Sequence, residues 1–170
     1  MRIHENLRLP LSADDVPLMY ADERYARLRA STLGADDVDH RVQGDPSGSF
    51  STVTTLAMPT DRAPDIVRRF VGSRITVVER QQWQAPSSDG SRTGTTRLEV
   101  QGTPASMDAE LSLRPAGAST STVEIKGNLQ AKVPLLGSRL EKAAAPYISE
   151  VLAAEQRTAE RYTEGEADPR

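Results

Sequence analysis

Few residue types in this chain could do chemistry. It has no cysteine, which excludes disulfides, thiolate nucleophiles and sulfur-ligated zinc, and its two histidines are His4 and His40. The informative polar residues are those that period-two alternation sets among apolar neighbours: Glu5, His40, Glu79 and Gln81. Burying an unpaired carboxylate or amide costs several kcal/mol in order of magnitude, so each must have a partner inside or face water after all. Glu79 and Gln81 fall between Val77 and Trp83 on one face of an extended segment. There they could orient a polar head within an apolar pocket, with Glu79 as an acid or base if burial raised its pKa. The opposing reading is a wet strand end or a bulge that turns both outward. His40, set among Asp36, Asp37 and Asp39, reads as a solvated strand edge rather than a ligand or a base. His4 and Glu5 are adjacent on a strand and point to opposite faces, so they form no metal pair. Trp83 and Tyr147 could stack on a ligand, yet large aromatics on a sheet face and a covering helix are usually core. Arg68 and Arg69 read as solvent-facing, and neither a glycine-rich phosphate loop nor a nucleophile elbow is present.

The elements that must position these residues follow from periodicity. Ile3, Leu7 and Leu9 alternate with His4, Asn6 and Arg8, the pattern of a half-buried strand. Ser12 then caps a short helix that Pro17 should curtail, and Asp22 restarts a second, with Tyr25, Ala26 and Leu28 apolar and Gly34 at its end. Residues 36–43 and 50–58 read as a hairpin across a Gly- and Pro-rich turn. Pro64 opens a short helix with Ile66, Val67, Phe70 and Val71 apolar, closed by Gly72. Four more alternating segments follow, carrying Ile75 to Trp83, Thr96 to Val100, Ala105 to Leu113 and Val123 to Val133.

Strands joined by tight turns and polar on one side predict an antiparallel sheet with its other side covered. The cover is a long helix from Pro134 to Tyr162. Leu136, Leu140, Ala143, Tyr147, Val151 and Ala154 mark its inner face, and Glu141, Glu150, Glu155 and Arg157 are expected to point away from it. Pro146 predicts a bend or break, because it leaves the Lys142 carbonyl without its helical partner. With 170 residues and near-average composition, 37% hydrophobic and 26% charged, one domain over 1–162 is expected, with 163–170 a disordered tail. The formal charge of -3 gives no general attraction to nucleic acid. No stretch approaches the roughly 18 apolar residues of a transmembrane helix, and no secretory leader opens the chain, so a cytoplasmic address is expected. Eighteen arginines against three lysines read as GC-rich bacterial codon usage.

The order of strand, two short helices, six strands and one long terminal helix resembles the helix-grip fold of the START and Bet v 1-like, polyketide cyclase-like superfamily. More narrowly, the strand bearing Trp83, the strand from Ser106 to Leu113 and the segment Val133-Pro134-Leu135-Leu136-Gly137 resemble the domain-of-unknown-function family 2505. The resemblance implies an α+β fold: a curved antiparallel sheet of about seven strands wrapped around the C-terminal helix, with a hydrophobic cavity that in relatives often holds lipids, sterols or polyketides. It transfers no catalytic residue. Small inward residues (Ala105, Ala109, Gly127, Ala131, and Ala143 to Ala145) are compatible with such a void and equally with close packing.

The first expectation is therefore an apolar or lipid-like small molecule bound between sheet and helix and admitted past residues 64–71, with no catalysis and no cofactor or metal required. Its candidate contacts on the sheet are Phe50, Thr52, Val77, Glu79, Gln81 and Trp83, then Leu98, Met107, Leu111 and Ile125; those on the helical segment are Leu136, Leu140 and Tyr147. The alternatives are a cyclase- or hydratase-like enzyme with Glu79 or His40 as its acid, and a protein-interaction scaffold with a filled interior. Oligomeric state is left open.

Overall fold

The computed structural model describes residues 1–165. In chain order the elements are β1 (Arg2–Leu9), α1 (Asp15–Tyr20), α2 (Glu23–Leu33), β2 (Asp37–Gly44), β3 (Phe50–Pro59), α3 (Asp65–Val71), β4 (Arg74–Trp83), β5 (Arg92–Val100), β6 (Ala105–Pro115), β7 (Ser121–Ala131) and α4 (Gly137–Thr163). The strands form one antiparallel sheet in the order β1-β7-β6-β5-β4-β3-β2. Every strand from β3 to β7 pairs with its predecessor, whereas β1 adds beside β7 with Ile3 opposite Gly127 and Leu7 opposite Val123. The two helices after β1 carry the chain from one sheet edge to the other.

Alternation is the force behind the sheet. In β3, Phe50, Thr52, Thr54, Leu56 and Met58 are buried while the residues between them are not. Met107, Ala109, Leu111 and Leu113 do the same in β6, and Val123, Ile125 and Leu129 in β7. Edge strand β2 carries Asp37, Asp39, Arg41 and Gln43 outward, charge that discourages a further strand from adding. At Gly127 the inner face is crowded: a Cβ there would stand 2.5 Å from that of Ala109 and 2.2 Å from the Asp108 carbonyl oxygen. Only glycine lets β6 and β7 close up at this point.

Local signals place the helices. Ser12 Oγ accepts from the Asp15 N–H at 3.2 Å, and Pro17 sits in the first turn of α1, where its missing donor costs little. Asp22 caps α2 by accepting from Arg24 N–H at 2.8 Å, and Gly34 ends it in the left-handed conformation at φ 73°. α4 lies against α2, β1, β7 and α3. It starts three residues later than the sequence suggests, because Leu136 and Gly137 both donate to the Val133 carbonyl and form a turn first.

Of the bend or break expected at Pro146, the break does not occur; α4 runs unbroken from Gly137 to Thr163. Pro146 and Lys142 lie on the exposed side, where solvent can satisfy the carbonyl that the proline leaves unpaired. Of the expected tail, Thr163 closes α4, and residues 166–170 lie outside the described residues. Among the described residues no helix is long and apolar enough to cross a membrane.

Candidate functional site

The interior holds a charged cluster that three elements bring together. Arg29 comes from α2, Glu79 from β4 and Glu155 from α4, with relative exposures of 6%, 5% and 4%. Arg29 Nη1 donates to Glu79 Oε2. Glu79 Oε1 accepts from Gln81 Nε2 at 3.2 Å and from Thr96 Oγ1 at 3.4 Å, and Trp83 Nε1 donates to Gln81 Oε1 at 3.0 Å. A single ladder of donors thus runs along β4 from the indole to the guanidinium. The expectation that a bulge or wet strand end turns Glu79 and Gln81 outward is overturned: partners within the fold offset the cost of burying both.

Charge is distributed unequally between the two acids. Burial pushes Glu79 up, but the Arg29 charge and hydrogen bond, aided by Gln81 and Thr96, hold it below the ordinary glutamate range. Glu155 has no such direct guanidinium bond. Burial raises it first, Arg29 lowers it, the Glu79 charge raises it again, and its carboxyl rests at about 7. Arg29 keeps its proton, since the two carboxylates outweigh its desolvation. Near neutral pH, then, Glu79 is the ionised partner of Arg29 and Glu155 is the group poised to exchange a proton.

Glu155 was expected to face outward, and the structure corrects this. It lies four residues beyond Val151 and four before Ala159, on the stripe that α4 turns inward. Arg29 stands one turn beyond Tyr25 on the same face of α2, a placement that its charge conceals in the sequence. Continuing each apolar stride through a charged position would have found both.

Two voids adjoin the cluster. The larger, about 140 Å3, is apolar and lies between the inner sheet face, α3 and α4. Of the residues expected to contact a ligand, Val77, Glu79, Leu98, Met107, Leu140 and Tyr147 line it. Its outer wall includes Val67, Phe70 and Val71 of α3, a helix with no fully buried residue. The smaller void, about 10 Å3, is bounded by polar groups, among them Thr52, Gln81, His40, Tyr25 and Glu155. Arg29, Thr54 and Glu79 belong to both linings, so the cluster is the partition between an apolar and a polar chamber.

The remaining candidates lie elsewhere. Phe50, Trp83, Leu111 and Ile125 are packed into the main core and line neither void. Trp83 is covered by Tyr20, whose ring stacks on it at 5.7 Å and 17°. Leu136 is 42% exposed in the turn before α4 and does not line the cavity. His40 is not the solvated edge residue that its acidic neighbours suggest: it is half-buried, with Nδ1 2.9 Å from Thr54 Oγ1, and burial lowers its pKa. A wider depression of about 860 Å3 crosses the outer side of the sheet, but it is open to water. On its lining Arg97 pairs with Asp108, and Arg80 pairs with Glu99 beside it.

Comparison with known proteins places this geometry. The family model described as protein of unknown function (DUF2505) matches residues 5–163. Among solved structures, TTHA0849 from Thermus thermophilus superposes with a TM-score of 0.64 at 11% identity, over 98% of this chain and 100% of that one. The Zhui aromatase/cyclase from a Streptomyces species gives 0.56 at 11% identity, over 98% of each chain. A START superfamily protein from Mycobacterium smegmatis gives 0.52 at 12% identity, over 95% and 98%. At such identities the likeness is one of fold: the helix-grip α+β architecture of START and Bet v 1-like proteins. No curated protein matches the sequence.

Proposed function

This chain belongs to the family of proteins of unknown function DUF2505, and from that premise and its helix-grip architecture we propose that it binds an apolar or lipid-like small molecule between the sheet and α4. The observation that carries the reading is the apolar cavity of about 140 Å3 with Leu98, Met107, Leu140 and Tyr147 on its walls. A cavity of roughly 150 Å3 lined by aliphatic and aromatic side chains is enough to admit benzene. Commonly occupied ligand pockets run to about 300–1,000 Å3, so a larger ligand requires a wall to move.

The wall that moves is α3. It buries no residue, yet the loop that carries it is clamped at its neck, where Thr60 Oγ1 donates to the Gly72 carbonyl at 2.6 Å. The first half of α4 is equally lightly held: before Leu152, its one fully buried residue is Leu140. Both flanks of the cavity thus draw on lightly packed elements, as an entrance must. Native mass spectrometry and solvent extraction of protein purified from its own host test the reading. A retained apolar molecule supports it; a clean unliganded mass, together with no saturable uptake of an apolar fluorescent probe, refutes it.

A second reading, acid–base catalysis in the same cavity, is favoured by one observation. Glu155 lines the polar void that adjoins the cavity across Arg29, Thr54 and Glu79, with its carboxyl at about 7, where a general acid or base would be useful. The sequence pointed to Glu79 or His40 for this role, but Glu79 is neutralised by Arg29. Glu155→Gln separates the readings: loss of turnover with retained binding marks catalysis.

A further inference from the structure

One turn departs from the rules that the rest of the chain obeys. Among the described residues, Leu135 alone has a positive φ without being glycine, at 66°. Its whole side chain also stands in water, with a relative exposure of 100%. A left-handed backbone strains any residue with a Cβ, and a leucine in solvent forgoes burial. The position carries both costs, and no contact inside the fold offsets them.

The turn is nonetheless firmly built. Pro134 precedes Leu135, and the Leu136 and Gly137 N–H groups both donate to the Val133 carbonyl, at 3.3 and 2.9 Å. Glycine or asparagine is the usual residue at the third position of such a turn, where φ is positive. At the base, Gly137 lies so near β7 that a Cβ on it would stand 2.3 Å from the Ala131 carbonyl oxygen. Leu135 is thus held outward, with the exposed Leu136 beside it. Both ends of the turn lie on the rim of the apolar cavity: Gln130 and Ala131 line it before the turn, Leu140 and Glu141 after.

Positive charge surrounds this tip. Lys132 stands just before it, and Arg139 and Lys142 are exposed on one face at the start of α4, three residues apart. Two of the chain's three lysines are therefore here. None of these three cations has a side-chain hydrogen bond or ion pair among the described residues. Glu141, the one acid between Lys132 and Lys142, is turned toward β7, where it accepts from the Ala131 N–H at 3.0 Å. A protein partner fits poorly, because stable interfaces take about 800 Å2 from each side and deplete lysine at their centres. A bilayer with anionic headgroups fits both features: the leucines reach the acyl boundary, while the long basic side chains lie along it and meet phosphates.

We propose that the turn at 133–137 docks on a membrane surface rich in anionic lipid, with Leu135 and Leu136 inserted among the headgroups and Lys132, Arg139 and Lys142 against their phosphates. Docking in this way sets the rim of the cavity against the bilayer, whatever the cavity holds. Two leucines and three cations make a weak, reversible attachment rather than an anchor.

The test is co-sedimentation with vesicles of phosphatidylcholine alone and of phosphatidylcholine mixed with phosphatidylserine. The wild type is expected to bind the mixed vesicles in low salt, to bind the zwitterionic ones poorly and to be released by high salt. Leu135→Gly, which suits the left-handed turn, is expected to melt no lower than the wild type and to weaken binding about tenfold. Lys132→Gln and Lys142→Gln are each expected to weaken it about fivefold, on the anionic vesicles only. The chain has no cysteine, so Leu135→Cys carries a single environment-sensitive fluorophore. Its emission is expected to shift to the blue on mixed vesicles and to be quenched by acyl-brominated lipid, while the same label at Val42→Cys on edge strand β2 stays unchanged. No binding to the mixed vesicles, equal binding of wild type and Leu135→Gly, or a label at 135 that stays in water overturns the proposal. Self-association that Leu135→Gly abolishes, without vesicle binding, gives the tip to a second copy and overturns it too. Each of these results leaves the cavity reading in place.

Discussion

Replacing Glu155 with glutamine should make the protein more stable in mild alkali and change it little in acid. An ordinary glutamate titrates near 4.5, and burial beside Glu79 holds this one at about 7. The native state therefore binds the proton more tightly than the unfolded chain. Stability from this group is fully present below about pH 4.5 and is lost as pH rises through 7. Across that span of roughly 2.5 pH units, at about 1.4 kcal/mol each, the loss is on the order of 3 kcal/mol. Glutamine has nearly the same shape and no charge to bury, and it leaves the Arg29–Glu79 pair electrically complete. At pH 8–9 the variant should exceed the wild type by up to about 3 kcal/mol, or roughly 6–12 °C in Tm for a chain of this size. The two should converge near pH 5. Thermal melts of both proteins from pH 5 to 9 give the answer. Parallel curves, or a difference that opens only below pH 5, would refute the assignment of Glu155 as the proton-exchanging acid.

Three further outcomes follow from the same contacts. Arg29→Met strands Glu79 without its cation and should cost about 3–5 kcal/mol in urea unfolding, whereas adding Glu79→Leu to it should recover much of the loss; an unaffected single variant would mean the pair is not buried in solution. Gly127→Ala must push β6 and β7 apart, given the 2.5 Å approach to Ala109, and should cost at least about 2 kcal/mol; a neutral result would contradict the strand register. Ala144→Phe places a ring in the apolar cavity and should abolish uptake of an apolar fluorescent probe with Tm unchanged or raised, while unchanged uptake would locate the probe elsewhere.

Much of the fold could be read from periodicity because alternation and cap residues are local signals. Phe50 to Met58 display their buried face in every second residue, and Asp22 and Gly34 mark both ends of α2. The interior site was legible only in part. Glu79 and Gln81 stand out because they interrupt an apolar face, but Glu79 also takes Arg29 and Thr96 from two other elements, and no local pattern pairs Arg29 with β4. Glu155 was misplaced because a charged residue on a long helix is ordinarily turned to water, and only its tertiary neighbours make its burial tolerable. Leu136 falls on the inner stripe of α4 by spacing, yet the turn that delays the helix leaves it exposed. The acids beside His40 in sequence suggest a solvated edge, whereas Thr54 on the neighbouring strand decides its setting.

The account depends most on whether the space between sheet and α4 accepts an apolar guest. A methyl-detected NMR titration with toluene measures this directly. Saturable shifts centred on Leu98, Met107, Leu140 and Val151, which share the cavity wall, are the predicted result. Shifts confined to the exposed Val42, Leu135 and Leu136, or none that saturate, would contradict it.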